Sequence, residues 1–284
     1  MTLSRHWQAP SALEHFATLV ADAGELNLLE AAACIAQDEY PGMDVQAVLA
    51  EVDAMAERLR RRLPDDASPS HRLLLLNRYF HDELGFAGNV NDYYAPDNSF
   101  IHQVLATRRG IPIALAVIYM ELAGQIGLRA NGIGFPGHFL VGLHLPQGEV
   151  VLDPFTCRSL SREALEEALL PYRGAGAEPP LEFFLQVLGP RELLARMLRN
   201  LKEIHRSAAD WPRLLGVQQR LVLLLPEEPQ ELRDRALVLE ALQHWSGAAA
   251  DLERYLSLRP DAADRVEQRQ RLQALRARGE PPLH

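Results

Sequence analysis

The stretch PGHFLVGLHLPQGEVVLDPF, residues 136–155, decides the fold of the middle of this chain. Apolar side chains alternate along its first half with a period of two, the spacing of a β-strand. One strand face would carry Phe139, Val141, Leu143 and Leu145, and the other His138, Leu140, Gly142 and His144. The segment PQG then turns the chain and EVVLD returns it. The sequence therefore predicts a β-hairpin that begins near His138 and ends at Asp153.

The register of this hairpin decides whether His138 and Asp153 touch. A turn at Gln147–Gly148 would pair Gly142 with Asp153, on the face of His138 but about 13 Å from it at the usual strand rise. Contact would then need a bulge, a shifted register or a different strand pairing. His144 shares the face but lies six residues from His138, about 20 Å away, so the two cannot bind one metal ion. We predict no metal and no cofactor.

Helical patterns precede and follow the hairpin. Residues 1–66 are predicted to be mainly helical, and Ile113–Ile126, which is apolar throughout, is predicted to be a central buried helix. Amphipathic patterns also cover Val45–Leu63 and Ser70–Leu84. Before the central helix comes GFAGNVNDYYAPDNSF, residues 85–100, whose Gly, Asn, Asp and Pro content is typical of a loop.

A weak repeat indicates how the C-terminal region folds. The similar segments RLVLLLP and RYLSLRP end at Pro226 and Pro260. This spacing matches the period of tetratricopeptide helix pairs, in which each repeat packs on its neighbours. The sequence therefore predicts a tetratricopeptide-like helical tail.

Composition excludes some functional classes. The chain has 284 residues, 29 basic and 38 acidic, for a net charge of −9, and Lys202 is its only lysine. Without a basic run, nucleic acid is not an expected partner, and no segment has the pattern of a membrane span. The N-terminal residues lack the apolar core of a signal peptide, and the two cysteines cannot form a disulfide framework. We expect a cytoplasmic protein.

Three separated blocks resemble one family. They are NVNDYYAPDNSFIHQVLATRRGIPIALAVIY, FPGHFLVGLH and VVLDPF, in that order. Together they are similar to the SirB1 family, in which a transglutaminase-like domain precedes a tetratricopeptide tail. The resemblance covers residues 70–160 most strongly and the tail more loosely. It implies a cleft with a Cys-His-Asp triad.

The resemblance also implies where each triad member stands. The nucleophilic cysteine would come two residues after Gly110, the histidine would be His138, and the aspartate would be Asp153 of DPF. The cysteine position falls on Pro112, which has no nucleophilic atom and no N–H. The ordinary thiol mechanism is therefore excluded. His138 and Asp153 would be a residual pair, or else structural residues.

Other candidates surround this position. Cys157, four residues after Asp153, is a possible alternative nucleophile, with Arg158 available to lower its pKa, although an inert small side chain is the simpler interpretation. The remaining candidates lie in the polar loop and just before Gly110, where they would border the cleft. They are Asn91, Tyr93, Tyr94, Asn98, Arg108 and Arg109.

These observations predict an α+β fold that is mostly helical. A papain/transglutaminase-like core with a small antiparallel sheet would occupy residues 1–185, with a helical N-terminal segment at 1–66, and tetratricopeptide-like repeats would occupy 186–284. The leading hypothesis is a non-catalytic binding or scaffold protein whose cleft and tail engage a peptide or protein. One alternative is a hydrolase or acyl transferase that uses His138 and Asp153 with Cys157 or an activated water. Another is a regulatory subunit that docks an enzyme. Oligomeric state is left open.

Overall fold

The computed structural model describes residues 10–21, 26–173 and 179–279. The first nine residues, in which the sequence predicts no signal peptide, lie outside these ranges. The described chain divides into two compact units. One is residues 26–197. The other joins helix α1 (Ala12–Ala21) to the residues from 198 onward. Within the described ranges, no helix combines the length and apolarity that crossing a bilayer requires.

The unit of residues 26–197 contains helices and two small sheets. Its helices are α2 (Leu28–Cys34), α3 (Val45–Arg60), α4 (Pro69–Asn77), α5 (Ile101–Thr107), α6 (Pro112–Gln125), α7 (Arg162–Leu169) and α8 (Leu181–Phe184). Its strands are β1 (Ala87–Gly88), β2 (Arg109–Gly110), β3 (Arg129–Ile133), β4 (Leu140–Leu145), β5 (Gly148–Asp153), β6 (Arg158–Leu160) and β7 (Val187–Leu188). Strands β1 and β2 form a parallel pair, and the other five form an antiparallel sheet in the order β6-β5-β4-β3-β7. The predicted α+β class with a small antiparallel sheet is confirmed.

Helix α6 is the central buried helix that the sequence predicted. It begins at Pro112, where the fixed φ and the missing N–H suit the first helical position. Ten of its fourteen residues are buried, as expected for a helix that is apolar on all sides. The hydroxyl of Tyr119 in this helix donates a hydrogen bond to Oδ1 of Asn77, 2.6 Å away, so its polar atom is satisfied.

The register of the β4–β5 hairpin differs from the one assumed from the sequence. The cross-strand pairs are Val141–Leu152, Gly142–Val151, Leu143–Val150, His144–Glu149 and Leu145–Gly148. The two-residue turn is therefore Pro146–Gln147 and not Gln147–Gly148. The shift of two residues puts Leu140, rather than Gly142, opposite Asp153. Of the alternatives that the sequence left open, the hairpin has the shifted register and no bulge.

Both faces of the five-stranded sheet are covered. Helix α6 packs on β3 and β4. The face that carries Leu140 and Val151 joins α7 and α8 in an apolar cluster. The cluster contains Ile133, Phe135, Leu140, Val151, Leu165, Leu169 and Leu181. This double coverage fixes the ends of β4 and β5, where the candidate site lies.

The C-terminal region is a series of helices. They are α9 (Pro190–Ser207), α10 (Trp211–Leu224), α11 (Pro229–Ala241), α12 (Trp245–Leu258) and α13 (Arg265–Gly279). Helices α10 and α12 each have 14 residues, and they begin at Trp211 and Trp245. The interval between these two starts equals the interval between Pro226 and Pro260 in the sequence repeat. The helix pairs therefore repeat with the predicted period.

The division into units differs from the predicted boundary between residues 185 and 186. It falls inside α9, after Met197, and it assigns α1 to the C-terminal helices instead of the N-terminal region. Helix α1 buries Phe16 and Val20 and packs on α10, where the guanidinium of Arg220 lies 5.5 Å from the centre of the Phe16 ring. The apolar face of α1 is thus covered by a distant part of the sequence, which no local pattern could indicate.

Candidate functional site

The side chains of His138 and Asp153 are in contact. Nε2 of His138 lies 2.8 Å from Oδ1 of Asp153. Asp153 is the last residue of β5 and is buried, while the His138 side chain, which precedes β4, is 30% exposed. The shifted register described above supplies this contact, which the sequence implied only through the family resemblance.

Asp153 receives three hydrogen bonds. Its Oδ1 accepts from His138 and from the backbone N–H of Phe155, 2.8 Å away, and its Oδ2 accepts from Oγ1 of Thr156 at 2.7 Å. Burial alone would raise the pKa of Asp153, but the bonds from His138, Thr156 and Phe155 outweigh it and lower the pKa below the ordinary 3.8. Asp153 is therefore a carboxylate at neutral pH.

The ionised Asp153 fixes the tautomer of His138. A carboxylate can only accept, so Nε2 of His138 carries the proton. In the neutral imidazole the lone pair is then on Nδ1, which makes no hydrogen bond within the described residues. An imidazole oriented by a carboxylate, with a basic nitrogen directed elsewhere, is the base half of a catalytic triad.

The position that the family resemblance assigns to the nucleophile lies at the start of α6. Pro112 is buried, and the preceding Ile111 donates its N–H to the carbonyl of Asn98, 3.1 Å away. The short parallel pair of β1 and β2 joins this helix start to the Asp153 loop. In it Gly88 pairs with Gly110, and the Gly88 N–H donates to the carbonyl of Phe155 at 3.0 Å. A Cβ at Gly88 would overlap the Phe155 ring, so this approach requires glycine.

Cys157 lies in the same loop but is not activated. Its φ is +67°, a left-handed conformation that is rare outside glycine, asparagine and aspartate. Burial raises the pKa of its thiol to about 11, and the charges of Asp153 and Asp82 add to the rise. The cation that opposes this rise is Arg109, not the neighbouring Arg158 that the sequence suggested. Cys157 is therefore a neutral thiol at neutral pH.

His81 is a site residue that the sequence did not reveal. It lies in a π-helical turn, Arg78–Glu83, that follows α4. Its Nδ1 contacts Sγ of Cys157 and lies 3.1 Å from the carbonyl of Phe86. Burial lowers the pKa of His81, and the Phe86 carbonyl and the charges of Asp82 and Asp153 only partly oppose this change. The imidazole is therefore neutral at neutral pH. Single π-turns are frequent at functional sites, but no sequence pattern marks this one.

The polar loop is ordered mainly by its own hydrogen bonds. Asn98 is buried, and its Nδ2 donates to the carbonyls of Asp92 and Tyr93 at 2.5 and 3.2 Å, while its Oδ1 accepts from Asn89. Its amide is thus committed to the loop and does not face a ligand. The residue at the N-cap of α5 is Phe100, which makes no side-chain hydrogen bond there.

The exposed part of the loop is aromatic. Asn91 is exposed, and Tyr93 and Tyr94 are 40% and 76% exposed. The Tyr93 ring lies 5.2 Å from that of Tyr94 and 6.0 Å from that of Phe155, and the Phe155 ring lies 6.2 Å from the His138 imidazole. These side chains form a continuous aromatic row that ends at His138.

The two arginines before Gly110 bind parts of the protein itself. Arg108 has a φ of +58°, ends α5, lies 3.3 Å from a carboxylate oxygen of Glu51 and stacks on the Phe86 ring. Nη1 of Arg109 donates to the carbonyl of Gly85 at 2.6 Å and to that of Arg108 at 2.9 Å. Both side chains therefore hold the start of β2 in place.

Arg196 and Tyr172 complete the surroundings of His138. Nη2 of Arg196 donates to the His138 carbonyl at 2.5 Å and to the Phe135 carbonyl at 3.1 Å. Gly137 has a φ of +67°, and a Cβ there would overlap the hydroxyl of Tyr172. The backbone before β4 is thus fixed from two sides, and neither contact is visible in the sequence.

Comparison with known proteins identifies both parts of the chain. A model described as the transglutaminase-like superfamily matches residues 46–199, and one described as the tetratricopeptide repeat matches residues 201–273. The predicted repeat tail is confirmed by the second match. No solved structure matches the chain significantly.

Several bacterial proteins are similar over most of their length. The UPF0162 protein of Xylella fastidiosa strain Temecula1 is 40% identical over 239 residues, which cover 83% of this chain and 85% of the relative. The UPF0162 protein PA3419 of Pseudomonas aeruginosa is 33% identical over 90% of this chain and 94% of its own. The UPF0162 protein YchA of Escherichia coli K12 is 26% identical over 78% of this chain and 82% of its own. The resemblance to the SirB1 family is confirmed, and the chain belongs to the transglutaminase-like superfamily, in the group of UPF0162 proteins that carry a tetratricopeptide tail.

Proposed function

We propose that this protein is a binding or scaffold protein whose transglutaminase-like site engages a peptide or protein without thiol catalysis. The observation that carries the proposal is Pro112 at the nucleophile position, at the buried start of α6. Neither cysteine replaces the missing thiolate. Cys34 is fully buried, and the high pKa of Cys157, about 11, keeps its thiol protonated.

The retained pair gives the site a recognition role. His138 presents Nδ1 as a hydrogen-bond acceptor, and Asp153 holds the ring in one orientation. The aromatic row of Tyr94 and Tyr93, which are exposed, and Phe155, which is half-buried, leads to this acceptor. A peptide could donate an N–H or O–H group to Nδ1 and lay an apolar side chain on the aromatic rings.

The tetratricopeptide tail supports the same proposal, because such repeats commonly present concave surfaces to protein segments. A cytoplasmic location is part of the proposal.

Two measurements on the full-length protein test the proposal. In the first, transamidation of casein by a fluorescent amine and hydrolysis of a fluorogenic peptide are followed with and without iodoacetamide. We expect no iodoacetamide-sensitive turnover, and turnover that Cys157→Ser abolishes would overturn the proposal. In the second, peptides are selected from a randomised twelve-residue library and tested against His138→Ala and against His144→Ala. His144 is the matched control, since it is an exposed histidine on the same hairpin. Selected peptides should lose binding only with His138→Ala.

A second candidate function is hydrolysis through water. The observation that favours it is the intact His138–Asp153 pair, which is the arrangement of a general base and its orienting carboxylate. It predicts turnover that resists iodoacetamide and that His138→Ala abolishes. The His138→Ala variant should be as thermally stable as His144→Ala, so that loss of turnover does not reflect unfolding. Turnover that survives His138→Ala would exclude this function.

A further inference from the structure

The C-terminal helices line a cavity of about 530 Å³ that is open to solvent and that contains no catalytic residue. All of its walls come from α9 to α13. Trp211 and Trp245, the first residues of α10 and α12, both line it. Because these helices begin one repeat period apart, the two indoles occupy the same position of successive repeats. Both indoles are only partly buried, so each leaves apolar surface at the cavity.

The lining of the cavity has more cations than carboxylates, although the protein as a whole is acidic. Its lining contains four cationic side chains and two carboxylates, while the chain carries a net charge of −9. The cations are Lys202, Arg206, Arg271 and Arg278, and the carboxylates are Asp234 and Glu240. Cations that are not held by a buried carboxylate can attract an anionic ligand by charge complementarity.

Two of these cations are already held inside the protein. Nζ of Lys202 lies 2.7 Å from Asp234 and 2.8 Å from the buried Glu231. Nε of Arg271 lies 2.5 Å from Glu240. These pairs shape the walls and balance their own charge, so they contribute little to attraction of a ligand.

The other two cations remain largely accessible. The side chain of Arg206 is 61% exposed and pairs with Glu203 on its own helix. The side chain of Arg278 is 58% exposed, its guanidinium lies 5.2 Å from the centre of the Trp245 ring, and it is 3.9 Å from Glu240. Exposed ion pairs are weak, so both guanidinium groups can bind a carboxylate at little cost.

A buried polar group also points to a ligand. Gln218, on α10, is fully buried and lines the cavity. Its Nε2 donates to the carbonyl of Glu231 at 3.2 Å, whereas its Oε1 has no hydrogen-bond partner among the described residues. A buried acceptor without a donor is unfavourable, and native proteins rarely leave one. A peptide N–H entering the cavity would satisfy it.

We propose that this cavity binds an acidic peptide segment of a partner protein. An apolar side chain of the segment would lie against Trp211 and Trp245, its carboxylates would bind Arg206 and Arg278, and a backbone N–H would donate to Gln218. The inference rests on the proposed role of the tail in protein interaction and names the chemistry of the partner. A nucleic acid fits less well, because its phosphates would meet the acidic remainder of the protein.

Selection from a randomised twelve-residue peptide library on the full-length protein tests the inference. We expect enrichment of Asp and Glu around one aromatic or aliphatic position. The best synthetic peptide, labelled with fluorescein, should bind the double variant R206Q/R278Q at least tenfold more weakly than the unaltered protein. The matched control R254Q/R259Q removes two exposed arginines that do not line the cavity and should change the affinity less than twofold. Gln218→Leu should weaken binding about threefold, with a thermal melt to verify folding.

Other outcomes separate this inference from the proposed function. The acidic-peptide inference would be overturned if the selected peptides are neutral or basic, or if R206Q/R278Q and the control bind them equally. The interaction role would still stand in either case. A labelled oligothymidylate that binds as tightly as the peptide, and loses affinity in R206Q/R278Q, would identify a nucleic-acid site instead. Absence of any enriched peptide from the selection would contradict both the acidic-peptide inference and the interaction role.

Discussion

Nε2 of His138 lies 2.8 Å from Oδ1 of Asp153, and no thiol stands at the position where the superfamily places one. The pair is held by buried hydrogen bonds, whereas Pro112, which the family resemblance puts in the place of the nucleophile, has no nucleophilic atom. Asp153 is tied to His138, Thr156 and the backbone of Phe155, so its loss would disturb the loop whether or not the site is catalytic. This structural role is enough by itself to explain why both side chains are present.

Substitution of Asp153 should destabilise the fold. Asp153→Ala leaves the Nε2 proton of His138, the Thr156 hydroxyl and the Phe155 N–H without an acceptor, and we expect a loss of about 3 kcal/mol in the free energy of unfolding. Thr156→Val removes one of the three bonds and should cost about 1 kcal/mol. Urea denaturation followed by circular dichroism measures both. Equal stability of Asp153→Ala and the unaltered protein would show that the network contributes nothing.

The contribution of Asp153 should also depend on pH. Its pKa in the folded protein is lowered from 3.8, so the unfolded chain binds the proton more readily. The stabilisation is therefore fully present above pH 3.8 and is lost as the pH falls through the lower, folded pKa. The difference in unfolding free energy between the unaltered protein and Asp153→Asn should shrink as the pH falls below 3.8. A difference that grows on acidification would contradict this.

The sequence predicted those features that repeat along the chain. The period of two around Val141 indicated the hairpin, the apolar run from Ile113 to Ile126 indicated the central helix, and the tetratricopeptide period indicated the paired helices of the tail. Each of these is a local pattern with one physical interpretation. The pairing of Leu140 opposite Asp153 was missed, because PQG allows two positions for a two-residue turn.

Contacts between distant segments could not be predicted from local patterns. His81 reaches Cys157 across 76 residues through a π-helical turn, and Arg196 reaches the His138 carbonyl across 58. Phe16 is covered by α10, which belongs to the opposite end of the sequence. Such contacts follow from how elements pack, and a single sequence does not contain that information in any short window.

Cys157 should react slowly with iodoacetamide at neutral pH. Burial and two nearby carboxylates raise its thiol pKa to about 11, so the thiolate fraction at pH 7 is small. The labelling rate, measured by mass spectrometry in a Cys34→Ala background, should rise towards pH 11, beyond the ordinary midpoint near 9. His81→Ala should accelerate labelling by opening the surroundings of Sγ. Rapid labelling at pH 7 that slows in His81→Ala would instead reveal a reactive thiolate–imidazole pair.

Gly88 should tolerate no side chain. A Cβ there would overlap the Phe155 ring, in the loop that begins at Asp153. Gly88→Ala must displace this ring and weaken the Gly88 N–H bond to the Phe155 carbonyl, so we expect a loss of about 2 kcal/mol in the free energy of unfolding.

Gly124 offers the matched control, since it lies in α6 with nothing within 4 Å of an added Cβ. Gly124→Ala should raise the free energy of unfolding by about 0.5–1 kcal/mol, because alanine favours the helix. Phe155→Leu, which removes part of the ring, should recover some of the loss in the Gly88→Ala background. Equal denaturation midpoints for Gly88→Ala and the unaltered protein would mean that Phe155 does not pack on β1. The connection that we describe between the Asp153 loop and the start of α6 would then also be wrong.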